Sequence, residues 1–140
     1  MNDSFFIETN IFVYSVPVAE PQKRSLALDL IDRALSSAKG VISYQVVQEF
    51  LNVAIRHYAQ PMSLAECEEY LSTVFRPLLA VHSSQSLYIH ALNLTRRYSL
   101  SWYDSLIVAA ALEANCRILY TEDLQHGQTF NNLRVQNPFF

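Results

Sequence analysis

One segment constrains the fold of this chain more than any other: SWYDSLIVAAALEANCRILYTED, residues 101–123. From about Tyr103 to Asn115 it reads as a helix that is apolar almost all round. A helix without a polar face has to be covered on every side. Arg117 to Thr121 (RILYT) follows at once as a short β-rich strand. A buried helix that runs straight into a strand calls for layers, with a sheet on one side and further helices around it.

The rest of the chain supplies those layers. Met1 to Glu8 reads as a buried strand, and Gln22 to Lys39 as a helix with Leu26, Leu30, Ile31, Ala34 and Leu35 at helical spacing and Gly40 as its stop. Val41-Ile42-Ser43 is a second short strand. Tyr44 to Ala59 forms the next helix, ended by Gln60-Pro61. Ser63-Leu-Ala-Glu66 is a capping box that opens a helix from Leu64 to Phe75. Pro77 to His82 reads as a strand, Ser84 to Tyr98 as a helix, and Leu133 to Gln136 as an edge strand. Strand and helix alternate, which predicts an α/β fold: a mainly parallel sheet with helices on both faces, joined by right-handed crossovers. No linker or repeat divides the 140 residues, so 1–140 is expected to be one domain.

Composition removes whole classes of function. Gly occurs only at positions 40 and 127, so neither a P-loop nor a dinucleotide-binding glycine motif can be written. Cys67 and Cys116 are far apart and have no partner spacing, as expected of reduced thiols in a cytoplasmic protein. No signal peptide is readable, and the most apolar stretch, Ser105 to Leu112, is too short to span a bilayer. The formal charge of −3 gives no basic footprint for nucleic acid. A nucleic-acid function would have to rest on a local site or on a partner.

Carboxylates are the residues that call for an explanation. Glu8 lies between Phe5-Phe6-Ile7 and Ile11-Phe12-Val13-Tyr14, where an unpaired charge is costly. Glu122 and Asp123 follow the strand 117–121. Asp104 opens the apolar helix, and Glu49 lies on the helix after the second strand. In parallel sheets ligands bind beyond the carboxyl ends of the strands, so these acids can converge on one rim. Each also has a plain structural role open to it. Asp104 suits a capping box with Ser101, Glu49 a solvated helix face shared with Gln45, Asn52 and Arg56, and Glu122-Asp123 a turn. Carboxylates crowded together repel and take up protons unless a cation joins them. An all-oxygen set suits Mg²⁺ or Mn²⁺. His57, His82, His90 and His126 lack paired spacing, which argues against zinc; His126, beside Gly127, is a loop residue near the rim that could touch substrate. Trp102 and Tyr103, just before Asp104, fit either base stacking or core packing.

The segments FIETNIFVY, VVQEFLNV, SWYDSLIVAAALEANCRILYTEDLQHGQ and the terminal NPFF together resemble PIN-domain proteins, and more closely the VapC-type toxins of toxin–antitoxin pairs. The likeness spans nearly the whole chain, and residues 101–128 are its most specific part. It implies a three-layer α/β/α fold and a Mg²⁺- or Mn²⁺-dependent endoribonuclease. The acidic quartet falls on Glu8, Glu49, Asp104 and Asp123, with Glu8, Asp104 and Asp123 holding the metal. Glu49 would position the attacking water or accept its proton, and Thr9 and Asn10 would support the site. The implied partners are an RNA substrate, a VapB-type antitoxin offering an Arg to the acids, and a second copy in a homodimer. DNA would be reached only through the antitoxin, and no membrane is involved.

One position departs from the family pattern. The first acid is Glu8 where the family carries Asp, and the extra methylene moves the carboxylate by about 1 Å, a shift that can cost on the order of 100-fold in rate. Attenuated cleavage is therefore expected. Two other readings remain open on the sequence: a metal-free acidic module that receives an Arg-bearing peptide, and a DNA-directed metal nuclease.

Overall fold

The computed structural model describes residues 3–17 and 20–140. Met1 and Asn2, the first residues of the expected opening strand, lie outside them. Within the described residues the strands are β1 (Phe5–Ile7), β2 (Gly40–Ser43), β3 (Leu79–Val81), β4 (Ile118–Tyr120), β5 (Thr129–Phe130) and β6 (Leu133–Gln136). They form one six-stranded sheet in the order β3-β2-β1-β4-β6-β5. Every pairing is parallel except β5 against β6. LRVQ is thus not the edge strand; it sits between β4 and β5, and the edge is the two-residue β5. That short antiparallel return carries only alternating signal (Thr129 exposed, Phe130 buried) and is invisible to periodicity.

The helices are α1 (Thr9–Val13), α2 (Pro21–Ser37), α3 (Tyr44–Arg56), α4 (Leu64–Tyr70), α5 (Arg76–Leu78), α6 (Gln85–Tyr98) and α7 (Trp102–Glu113). They cover both faces of the sheet. α7 is buried along one continuous run from Ser105 to Ala111, as an apolar helix must be. It packs closely against α6, whose N-cap Ser84 accepts from the Leu87 amide at 3.0 Å. The core runs through Phe6, Ile7, Ile42, Leu119 and Val135 of the strands and Val46, Phe50 and Phe75 of the helices.

Several boundaries move for identifiable reasons. α2 begins with Pro21 at its first position, where a missing N–H costs nothing, and it ends in left-handed Ala38. Gly40 is therefore not the helix stop. It starts β2, and a Cβ placed there would lie 2.2 Å from the Ala34 Cβ, so close helix–strand packing demands the glycine. The capping box at Ser63 forms as expected, with Glu66 reaching back to the Ser63 amide at 2.9 Å. The helix it opens widens into a π-turn over Leu71–Phe75 and then continues as α5. That turn sets Phe75 edge-on to Phe12, Phe50 and Tyr70, at centroid distances of 5.0, 5.2 and 5.0 Å. Pro77 and Leu78 lie in helix, so the expected strand 77–82 shortens to Leu79–Val81. Ile11 to Val13, apolar and β-branched enough to pass for strand, belong to α1 instead.

Candidate active site

The sheet changes winding direction between β1 and β4. From β1 the chain proceeds to β2 and β3 on one side, then crosses to β4 and β6 on the other. Crevices in parallel sheets open at such a point, beyond the carboxyl ends of the strands. The register Ile7↔Tyr120 aligns the two strands there, and the Glu8 amide continues the ladder to the Tyr120 carbonyl at 3.1 Å. Glu8 and the Thr121-Glu122-Asp123 turn are thereby brought side by side.

The triplet Glu8-Thr9-Asn10 serves the site one residue at a time. Glu8 is the N-cap of α1, and its Oε2 accepts from the Asn10 amide at 3.2 Å. Thr9, buried, donates its hydroxyl to Glu49 Oε1 at 2.6 Å. Asn10 turns its side-chain amide to Asp123, reaching Oδ1 at 3.3 Å and Oδ2 at 3.2 Å. The Asp123 amide in turn donates to Thr121 Oγ1 at 3.1 Å, which fixes the turn. Glu8, Thr9, Asn10, Glu49, Asn52 and Asp123 share one cleft of about 350 Å³ with Val53 and His57.

Electrostatics mark the cleft as strained. Glu8 is only 8% exposed, and among the described residues no Lys, Arg or His forms an ion pair with it. Burial first, then the negative charges of Asp123 and Glu49, push its carboxyl up to about 8, against the pull of the Asn10 and Thr9 amides. Asp123 is also held above the ordinary carboxylate range, by lost hydration and then by Glu122, Asp104 and Glu49. Glu122 has a different fate. It accepts from the Tyr14 hydroxyl and pairs with Lys23 at 3.2 Å, and Lys23 lies over the Tyr14 ring. The two adjacent acids are thus separated in role: one is neutralised and the other is left in the cleft.

Asp104 occupies the first turn of α7, where Ser101 caps its amide at 3.2 Å. It stands outside the lining of the cleft, although its charge reaches Asp123. Among the described residues no three His, Cys, Asp or Glu side chains are grouped closely enough to enclose a metal ion. The donors nonetheless suit a hard divalent cation: three carboxylates beside amide and hydroxyl oxygens, with one carboxylate buried and uncompensated. Mg²⁺ commonly binds through one or two carboxylates and keeps several waters, so close three-fold grouping is not a requirement. The residues fit such an ion.

Two features of the cleft escape a reading by residue type. Gln45 is not on a solvated face; it is 4% exposed. Its amide donates to Glu49 Oε2 and to the Tyr103 carbonyl, both at 3.3 Å, and so ties α3 to the start of α7. Asn52 and His57 line the cleft. Their separations from Glu49 of three and eight residues along a helical stretch are the sequence signal for that shared face. His126 is placed elsewhere: its Nδ1 accepts from the Asn137 amide at 3.0 Å and its ring stacks on Phe140 at 4.4 Å. The substrate contact expected of it has no support in this placement.

The PIN domain family pattern matches residues 5–129, so the chain belongs to the PIN-domain family. Its fold is similar to that of a toxin–antitoxin complex from Klebsiella pneumoniae, with 18% identity, 96% of this chain and 98% of that one covered, and a TM-score of 0.66. It is similar to Mycobacterium tuberculosis VapC20, a Sarcin-Ricin loop cleaving toxin (20% identity, 86% and 90% covered, TM-score 0.62). VapBC2 from Rickettsia felis, bound to a DNA fragment from its promoter, is another relative in fold (20% identity, 95% and 97% covered, TM-score 0.62). A search of curated protein sequences finds no match. Among the described residues no helix is long and apolar enough to cross a membrane.

Proposed function

We propose that this chain is a VapC-type toxin, an endoribonuclease dependent on Mg²⁺ or Mn²⁺ that acts in the cytoplasm, with residues 1–140 forming a single domain. The observation that carries the reading is the meeting of Glu8, Glu49 and Asp123 in one cleft at the β1/β4 switch point, where among the described residues none of the three forms an ion pair. Glu8 and Asp123, with Asp104 at the border, would hold the ion, and Glu49 would take the proton of the attacking water. A divalent ion there supplies charge neutralisation at the phosphate and a more acidic water. Thr9 and Gln45 each hold one oxygen of Glu49, which orients it as a base, and Asn10 does the same for Asp123. Similarity in fold to complexes of toxins with antitoxins supports an antitoxin of the VapB type as partner, with DNA reached through it; a homodimer is part of the proposal. Glu8 in the place of Asp attenuates the enzyme.

The test is cleavage of matched RNA and DNA oligonucleotides with Mn²⁺ by three proteins: the chain itself, Glu8→Asp and Asp104→Asn. Cleavage of RNA alone, strongest for Glu8→Asp and absent for Asp104→Asn, is expected. Equal cutting of DNA, or a fully active Asp104→Asn, overturns the proposal. The same uncompensated acids could instead receive an Arg-bearing peptide in a metal-free pocket. Calorimetry showing no Mn²⁺ uptake would select it.

A further inference from the structure

A protein of net charge −3 with an acidic cleft repels the phosphates it would have to hold. Affinity for RNA must then come partly from something other than charge. Base stacking is such a force: it is tolerant of sequence and needs no cation. Trp102 and Tyr103 directly precede Asp104 in the first turn of α7, and the structure gives them different roles. Trp102 is half-buried, packs against the core and meets the Tyr88 ring at 6.3 Å in a tilted arrangement. Tyr103 is 64% exposed, and among the described residues no aromatic ring stacks on it. Its backbone is fixed all the same, because the Gln45 amide that holds the Tyr103 carbonyl also holds Glu49. Tyr103 therefore has a fixed backbone, linked through Gln45 to Glu49 of the cleft, and an exposed ring.

We propose that Tyr103 is a stacking platform for an unpaired nucleobase of the RNA, adjacent to the phosphate in the acidic cleft. The inference rests on the nuclease reading above and adds to it one residue, Tyr103, that would hold a base beside the cleft. A paired base has both faces covered by its neighbours and offers the ring nothing.

The test is equilibrium binding of a fluorescein-labelled, unstructured RNA oligonucleotide to Asp104→Asn protein, with and without Tyr103→Ala or Tyr103→Trp. Removing the ring should weaken binding on the order of ten-fold, the usual worth of one stacked base. Tyr103→Trp should restore it. The dependence on salt should not change, since no phosphate contact is lost, and Mn²⁺ affinity and melting temperature should stay constant. Unchanged RNA affinity in Tyr103→Ala, while Glu8→Asp still cleaves RNA, overturns the stacking role and leaves the nuclease reading standing. Light scattering that shows Tyr103→Ala dissociating a dimer overturns it too, because the ring would then belong to a subunit interface. Absence of both RNA binding and RNA cleavage in every variant overturns the two together.

Discussion

Asn10 donates to both carboxylate oxygens of Asp123, at 3.3 and 3.2 Å, across the gap between the ends of β1 and β4. Its backbone amide meanwhile holds Glu8. One residue thus positions two of the acids, and the geometry of the cleft depends on it. Asn10→Ala should lower RNA cleavage by Glu8→Asp protein about 10- to 100-fold, the range seen when groups supporting a metal site are removed. Because the lost contact is solvent-exposed, the melting temperature should hardly move. Undiminished cleavage would show that Asp123 needs no such support.

The reverse change at the first acid tests its length. Glu8→Asp keeps the charge and shortens the side chain, and should raise the rate by up to about 100-fold. Single-turnover cleavage of one RNA by both proteins measures it. An unchanged rate means that the longer side chain costs nothing.

Glu8 also predicts how stability depends on pH in metal-free protein. Its carboxyl ionises near 4.5 ordinarily and near 8 in the fold. Folding therefore favours the protonated form. The stability it contributes is fully present below about 4.5 and is lost as the pH rises through about 8. Melting temperature in the presence of EDTA should fall across that window, and Glu8→Gln should remove most of the fall. Mn²⁺ added at pH 8 should restore the wild-type value, since a cation then does what the proton did. A flat profile for the wild type contradicts the burial-driven shift.

Gln45 joins two elements, and its loss should be felt in both stability and chemistry. Gln45→Leu fills the same space and removes the hydrogen bonds to Glu49 and the Tyr103 carbonyl. A destabilisation of about 1–3 kcal/mol follows from losing one hydrogen bond to a charged carboxylate and a second to a backbone carbonyl. Denaturant titration beside a cleavage assay reads the two effects. Gln45→Glu should be worse than Leu for activity, because it sets a second carboxylate against Glu49.

Gly40 offers a test of packing alone. Gly40→Ala drives a methyl group into Ala34, and overpacking of this kind costs about 1–3 kcal/mol. The double variant Ala34→Gly with Gly40→Ala should recover part of that loss by restoring the space. Equal stability of all three proteins would mean that α2 shifts freely over β2.

Those two residues also show what could be read in advance and what could not. Strand and helix order was legible because buried strands and the apolar run 105–112 carry strong local signals. The acids at 8, 49 and 123 were legible as candidates because strand ends in a parallel sheet share one rim. Gln45 was misplaced on a solvated face because the face of α3 that carries it is covered by the first turn of α7, more than fifty residues later. Only tertiary packing tells a buried amide from a wet one. Gly40 follows a helix as a stop signal would, and its true constraint is the close approach of Ala34, methyl group and backbone alike. The segment Ile11–Val13 has a strand's composition, but the Glu8 cap turns it into helix.

The pairing of β1 with β4 aligns Phe5 with Ile118, 113 residues apart. During synthesis β1 waits for this second neighbour until those residues have been made. Asn10 likewise has no Asp123 to hold until then. Until then the acids of a nascent polypeptide stay dispersed, and the ribosome that makes it meets no assembled cleft on a chain that has not yet reached Asp123.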